Sequence, residues 1–187
     1  MLISDLDAVN GVLRELGEQP LTTLDTNYPT ADLAKKALET ARLVLLQKGW
    51  WFNTVVNYPL LSGEEGVVST PNNTLEFIPD DPQYIWSGQN IMDNTGNTLF
   101  ASDAPITGTL KFDIKLQALP WTAQQLVVLT AAQAVYVSDF GPDAKYQELG
   151  LRIKELTGVL SNQHIRAKRP NMAQRPDVAR YYQSLRT

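Results

Sequence analysis

The sequence predicts an α+β fold: a four-helix bundle, built from two N-terminal and two C-terminal helices, with a small antiparallel β region inserted between them. Three observations predict it. Apolar residues recur at helical spacing before residue 50 and again after residue 119. Between these blocks the chain turns to short β-type runs separated by turn residues. The 187 residues also suffice for one bundle plus one insertion, and bury enough surface to fold without a disulfide or a metal. The expected boundaries are 1–50 and 119–167 for the helical bundle, 51–118 for the β region and 168–187 for a basic C-terminal arm.

Residues 5–16 read as the first helix. Ser4 can cap it, with Asp7 three residues on to complete a capping box, and Gly17 stands where a helix-ending glycine belongs. Leu6, Val9, Leu13 and Leu16 recur at helical spacing. A loop with Pro20 and Pro29 follows. The second helix starts at Thr30 or Asp32 and runs to about Lys48, where Gly49 ends it. Leu33, Ala37, Leu38, Ala41, Val44 and Leu45 make its apolar stripe, while Lys35, Lys36, Glu39 and Arg42 mark its wet side.

From Trp50 the residues favour strands. Extended alternation would send Trp50 and Phe52 to one face and Trp51 to the other, in a run ending at Pro59. Further short strands are expected at Val67–Ser69, Thr74–Ile78, Tyr84–Trp86, Asn90–Met92 and Thr98–Phe100. Asn94–Asn97 reads as a hairpin-type turn. Thr109–Leu116 alternates polar and apolar most clearly, as a half-buried strand does. Pro120 then opens a third helix to Phe140, apolar nearly all round and so buried on most sides. Gly141-Pro142-Asp143 breaks it. A fourth helix runs from Pro142 to about Arg166, with Tyr146, Leu149, Ile153, Leu156 and Leu160 on one stripe.

Composition narrows the function. There is no cysteine and one histidine, His164, which excludes thiol nucleophiles, Cys zinc sites, iron–sulfur clusters and multi-histidine metal sites. No cofactor and no metal are expected. No apolar stretch approaches the roughly 20 residues of a membrane span, and the N-terminus lacks a signal-peptide pattern, so a soluble protein made in the cytoplasm is expected. Net charge is −4 but unevenly spread: residues 161–187 carry +5 and residues 1–160 carry −9. The basic arm reads either as a solvated terminus or as a segment seeking an acidic surface.

No phosphate loop, dinucleotide fingerprint, HExxH or GxSxG pattern occurs. His164 reads as a surface histidine in a last helical turn, favoured by the helix dipole. Paired carboxylates remain as catalytic candidates: Glu64, Glu65, Asp80 and Asp81, with Trp and Tyr residues nearby in sequence, could serve a glycoside hydrolase acting on host surface polysaccharide. The plain alternative is that adjacent acids in turns are solvated turn formers. Trp50, Trp51 and Phe52 read as core plug or interface anchor, and Arg166, Lys168, Arg169, Arg175 and Arg180 as interface candidates of the arm. Such an arm could also touch DNA phosphates, although a body of −9 would not grip a duplex.

The run Ala8-Val9-Asn10-Gly11-Val12-Leu13-Arg14-Glu15-Leu16-Gly17-Glu18-Gln19-Pro20, then Leu24-Asp25, resembles the opening of the tail tubular protein A family of short-tailed bacteriophages. Ala31 to Lys48 followed by Gly49-Trp50-Trp51-Phe52-Asn53 resembles that family's second helix and its Gly-Trp-x-Phe-Asn exit. The resemblance covers residues 5–60. It implies a structural protein of the virion tail: an adaptor ring, twelvefold in the virion, joining the portal protein to a tail nozzle protein of the tail tubular protein B type. Genomic DNA would pass through the channel without specific binding. The family places no catalytic residue on the matched blocks.

Overall fold

The computed structural model describes residues 3–24, 28–63, 66–100 and 105–168. Its elements run in the order α1 (Asp5–Leu16), α2 (Pro29–Gln47), β1 (Thr54–Leu60), β2 (Thr74–Pro79), β3 (Tyr84–Trp86), β4 (Ile91–Asp93), β5 (Ile106–Phe112), a 3-10 turn (Leu116–Ala118), α3 (Trp121–Phe140) and α4 (Ala144–Lys168). The protein is α+β, with four helices and small antiparallel sheets.

α1 begins as its sequence dictates. The Asp7 amide donates to Ser4 Oγ and the Ser4 amide donates to the Asp7 carboxylate, both at 3.1 Å. Gly17 closes the helix in the left-handed conformation. α2 starts one residue earlier than expected, because Pro29 takes the first helical position, where its missing N–H costs nothing. Its buried stripe is also rotated from the expected one. Ala31, Ala34, Leu38, Ala41, Leu45 and Leu46 face inward, together with Arg42, whereas Leu33 and Val44 stand in solvent.

α3 is the hub. α1, α2 and α4 all pack on it, and it buries Ala123, Leu126, Val127, Val128, Ala131, Ala132 and Val135. The helical core also takes in Val9, Val12 and Leu13 of α1, Leu160 of α4, and Trp50. A second core lies within the β region and comprises Leu60, Val68, Phe77, Ile91, Ile106 and Leu110.

β5 is the central strand of a three-stranded antiparallel sheet ordered β1-β5-β2, and β3 and β4 form a separate pair. Thr54 lies opposite Lys111 and Leu60 opposite Ile106, with a bulge between Val55 and Tyr58 where Asn57 takes a φ of 57°. At Gly108 the neighbouring backbone comes too close for a side chain: a Cβ there would stand 2.5 Å from both the Ile78 carbonyl oxygen and the Phe77 ring.

Several expected strands are shorter or absent. Trp51–Asn53 form a turn, and β1 begins only at Thr54. Val67–Ser69 and Leu99 make isolated bridges rather than strands. β5 stops at Phe112, because Asp113 and Ile114 leave the ladder to meet Arg42. Asn94–Asn97 is a turn as expected, organised by Asp93, whose carboxylate accepts from the Thr95 and Asn97 amides at 2.9 Å.

Candidate assembly surface

The Trp50-Trp51-Phe52 run sits where α2, α4 and the sheet meet. Trp50 is buried, and its indole N–H donates to the Leu45 carbonyl at 2.8 Å, so the polar edge of the ring is satisfied inside. Phe52 stacks on it at a centroid distance of 6.4 Å, and Trp51 meets it edge-on at 6.5 Å. Asn53, 1% exposed, holds the turn. Its Oδ1 accepts from the Trp50 amide at 2.8 Å, and its Nδ2 donates to the carbonyls of Leu46 at 3.0 Å and Phe112 at 3.3 Å. One side chain thus ties the end of a helix, the turn and the end of a strand. Trp50 is core; Trp51 and Phe52 are half-buried against the same cluster.

His164 joins this turn to α4. The Trp51 amide donates to its Nδ1 at 3.1 Å, and its ring stands edge-on to Trp50 at 5.6 Å. Burial, and then the nearby Lys168, hold its pKa below the ordinary value. The surface histidine expected from the sequence is therefore corrected in its surroundings: His164 is half-buried, packed against the indoles, and its Nδ1 accepts a backbone hydrogen bond. Arg166 and Lys168 are exposed on the last turn of α4. Arg169, Arg175 and Arg180 lie outside the described residues, as do Glu64 and Glu65.

Arg42 is the functional-looking residue that sequence pattern misplaced. It is buried, its Nε and Nη2 donate to the two Glu39 oxygens at 3.0 and 2.6 Å, and its Nη1 donates to Asp113 and, at 2.6 Å, to the Ile114 carbonyl. The Glu39 hydrogen bonds and the Asp113 charge outweigh burial and raise its pKa further. The signal available beforehand was Glu39 three residues away, which makes a helix pair but names no distant partner. On the other side, Glu15 of α1 receives Lys145 at 3.1 Å and Arg152 at 3.0 Å from α4. Burial pushes the Glu15 carboxyl up, but these hydrogen bonds and charges prevail and hold it below its usual range.

A cleft of about 890 Å³ opens between α1, α2 and the strand exit, with Asp5, Lys35, Glu39, Arg42, Asp113 and Lys115 in its lining. Its charges are of both signs, and Arg42, Glu39 and Asp113 are engaged with one another. Asp80 and Asp81 border a shallower depression of about 500 Å³ beside Tyr84 and Thr107. Both are exposed, and Asp81 spends an oxygen on the Gln83 amide at 3.0 Å, as a turn former does. Among the described residues no cluster of three His, Asp or Glu side chains could hold a metal ion. No helix among them is long and apolar enough to cross a membrane.

The described surface instead offers apolar side chains on outward helix faces: Leu33 and Val44 on α2, Leu151, Val159 and Ile165 on α4, and Trp121 and Phe140 at the ends of α3. Single exposed apolar residues are ordinary, but rows along helices mark contact surfaces. A family model, tail tubular protein, matches residues 6–181. The chain belongs to the tail tubular protein family. As a tail tubular protein it is a structural component of a bacteriophage virion tail, with partners in tail assembly. It is 29% identical over 167 residues to tail tubular protein A of Klebsiella phage KP34, an alignment covering 88% of this chain and 89% of that protein. The match extends the resemblance read over residues 5–60 through the β region, α3, α4 and into the arm. Within this chain the Trp50–Asn53 turn and the buried Arg42 are held by internal hydrogen bonds, while the outward apolar residues of α2 and α4 are covered by no other described element.

Proposed function

We propose that this protein is the adaptor ring between the portal vertex and the tail nozzle, surrounding the channel through which genomic DNA passes. The observation that carries this reading is the family match over residues 6–181, nearly the whole chain. The charge distribution supports it. A body of −9 repels phosphates and can border a channel without gripping DNA, and a +5 terminal region suits an acidic neighbour. Within this reading, residues 1–50 and 119–167 act as one four-helix bundle, 51–118 as a β module projecting from it, and 168–187 as an arm toward the portal or a neighbouring copy. Copies assemble head to tail into a twelvefold ring after synthesis in the host cytoplasm. Arg166 and Lys168, with Arg169, Arg175 and Arg180, are the arm's contact candidates.

The test is the mass of the full chain by light scattering, alone and with its portal and nozzle proteins, followed by electron microscopy of the mixture. A ring seated on the portal is the expected result. A monomer that ignores both partners, or virions in which this chain is missing from the portal–nozzle joint, overturns the reading.

A further inference from the structure

We propose that the outer face of α2 on one protomer seats on the outer face of α4 on the next, so that two unlike surfaces of this chain form the repeating contact; this rests on the ring reading above. α2 turns Ala34, Leu38, Ala41 and Leu45 inward. Its opposite side carries Leu33, Ala37, Thr40 and Val44 at helical spacing, with Leu33 48% and Val44 52% exposed. Lys36 and Lys48 border this row and make no ion pair among the described residues, whereas the acids Asp32 and Glu39 lie off it and are engaged with Lys35 and Arg42. α4 buries Leu149 and Leu160. Its opposite side carries Glu148, Leu151, Glu155 and Val159, with Leu151 64% and Val159 47% exposed; Glu148 also meets Lys145 at 3.5 Å and Arg152 at 3.8 Å but stays 56% exposed. Lys154 borders that row and Arg166 stands at its far end. At 1.5 Å per residue, Leu33 to Val44 and Glu148 to Val159 each span about 16 Å.

Two features favour the unlike pairing. First, α2 and α4 both pack on α3 and scarcely touch each other, so their outer faces point away from the shared core in different directions. Second, the α2 face closing on its own copy would oppose Lys36 and Lys48 to lysines, with no acid on that row to meet them, whereas α4 offers Glu148 and Glu155 beside its apolar row. Seating α2 on α4 sets lysines toward glutamates around two apolar rows. Such a contact leaves one free face at each end and closes only as a ring or runs on as a filament.

The absence of native cysteine makes the test clean. Val44→Cys and Val159→Cys would be introduced into the full chain singly and together, and treated with a short bis-maleimide, with and without portal protein. The double variant should give a ladder of covalent oligomers. Each single variant should stay monomeric on a denaturing gel, and mixing the two should give a heterodimer and nothing larger. Both sites are exposed, and an unchanged melting temperature would certify the fold. A single variant that links to itself overturns the pairing, as does a silent double variant when the wild-type chain is visibly ring-shaped. If the wild-type chain forms no ring even with portal, the ring reading itself has failed.

Discussion

Asn53→Ala should destabilise the protein by about 3 kcal/mol, chiefly through lost hydrogen bonds rather than lost volume. The side chain makes three hydrogen bonds to backbone groups, namely the Trp50 amide and the Leu46 and Phe112 carbonyls, in a site where Asn53 is 1% exposed. Each such bond contributes roughly 1 kcal/mol net, and an orphaned buried group costs about 1–3 kcal/mol, so the bonds set the floor. The backbone bonds of Asn53, its amide to the Trp50 carbonyl at 3.1 Å and the Phe112 amide to its carbonyl at 2.8 Å, survive the substitution. The loss therefore belongs to the side chain. At roughly 2–4 °C per kcal/mol for a chain of this size, the melting temperature should fall by about 6–12 °C. Urea unfolding followed by tryptophan fluorescence, with Trp50 beside the site, reads both stability and slope. Asn53→Leu, which restores bulk but not the bonds, should be no better than Ala. If Leu recovers the loss, or if Ala costs under about 1 kcal/mol at an unchanged slope, polar satisfaction is not what holds this junction.

Arg42→Met should cost about 2 kcal/mol, less than the roughly 3–5 of a fully buried broken pair, because the side chains of Glu39 and Asp113 are 59% and 41% exposed and rehydrate. Glu39→Gln and Asp113→Asn should each cost under about 1 kcal/mol by the same urea titration, and equal losses for all three would contradict this account. Gly108→Ala should lower the melting temperature by more than any exposed-strand alanine substitution, since its methyl meets the Ile78 carbonyl; calorimetry decides, and a neutral result means the strands part easily. For His164 the folded pKa lies below the ordinary 6.5, so its contribution is whole above that value and is lost as pH falls from there through the folded pKa. Wild type should accordingly lose stability relative to His164→Gln between neutral pH and the acid side of that window. Parallel curves would show that the imidazole does not matter.

Much of the helical part was legible because its signals are local. Ser4, Asp7 and Gly17 specify both ends of α1 through bonds within one turn, and Pro120 and Gly141 bracket α3. The β region was legible mainly where burial alternates, at Thr109–Phe112. It was misread where pairing depends on distant partners, so Val67–Ser69 supplies bridges instead of a strand. Trp50–Phe52 have strand-type residues, yet the Asn53 side chain bends them into a turn through contacts with Leu46 and Phe112. Arg42 sat on the polar side by pattern alone, and its burial is made tolerable by Glu39 nearby together with Asp113 and Ile114, 71 and 72 residues away, which no local pattern announces. Leu33 and Val44 invert the same lesson: an apolar residue at helical spacing counts as core only if another element comes to cover it. The candidate surface was thus hidden in what looked like ordinary core pattern.

The β excursion leaves the helices at Thr54 and returns at Lys111, and these two residues face each other across a ladder. Entry and exit are therefore one doorway. Such an excursion can be lengthened, exchanged or trimmed to a hairpin without rerouting a helix.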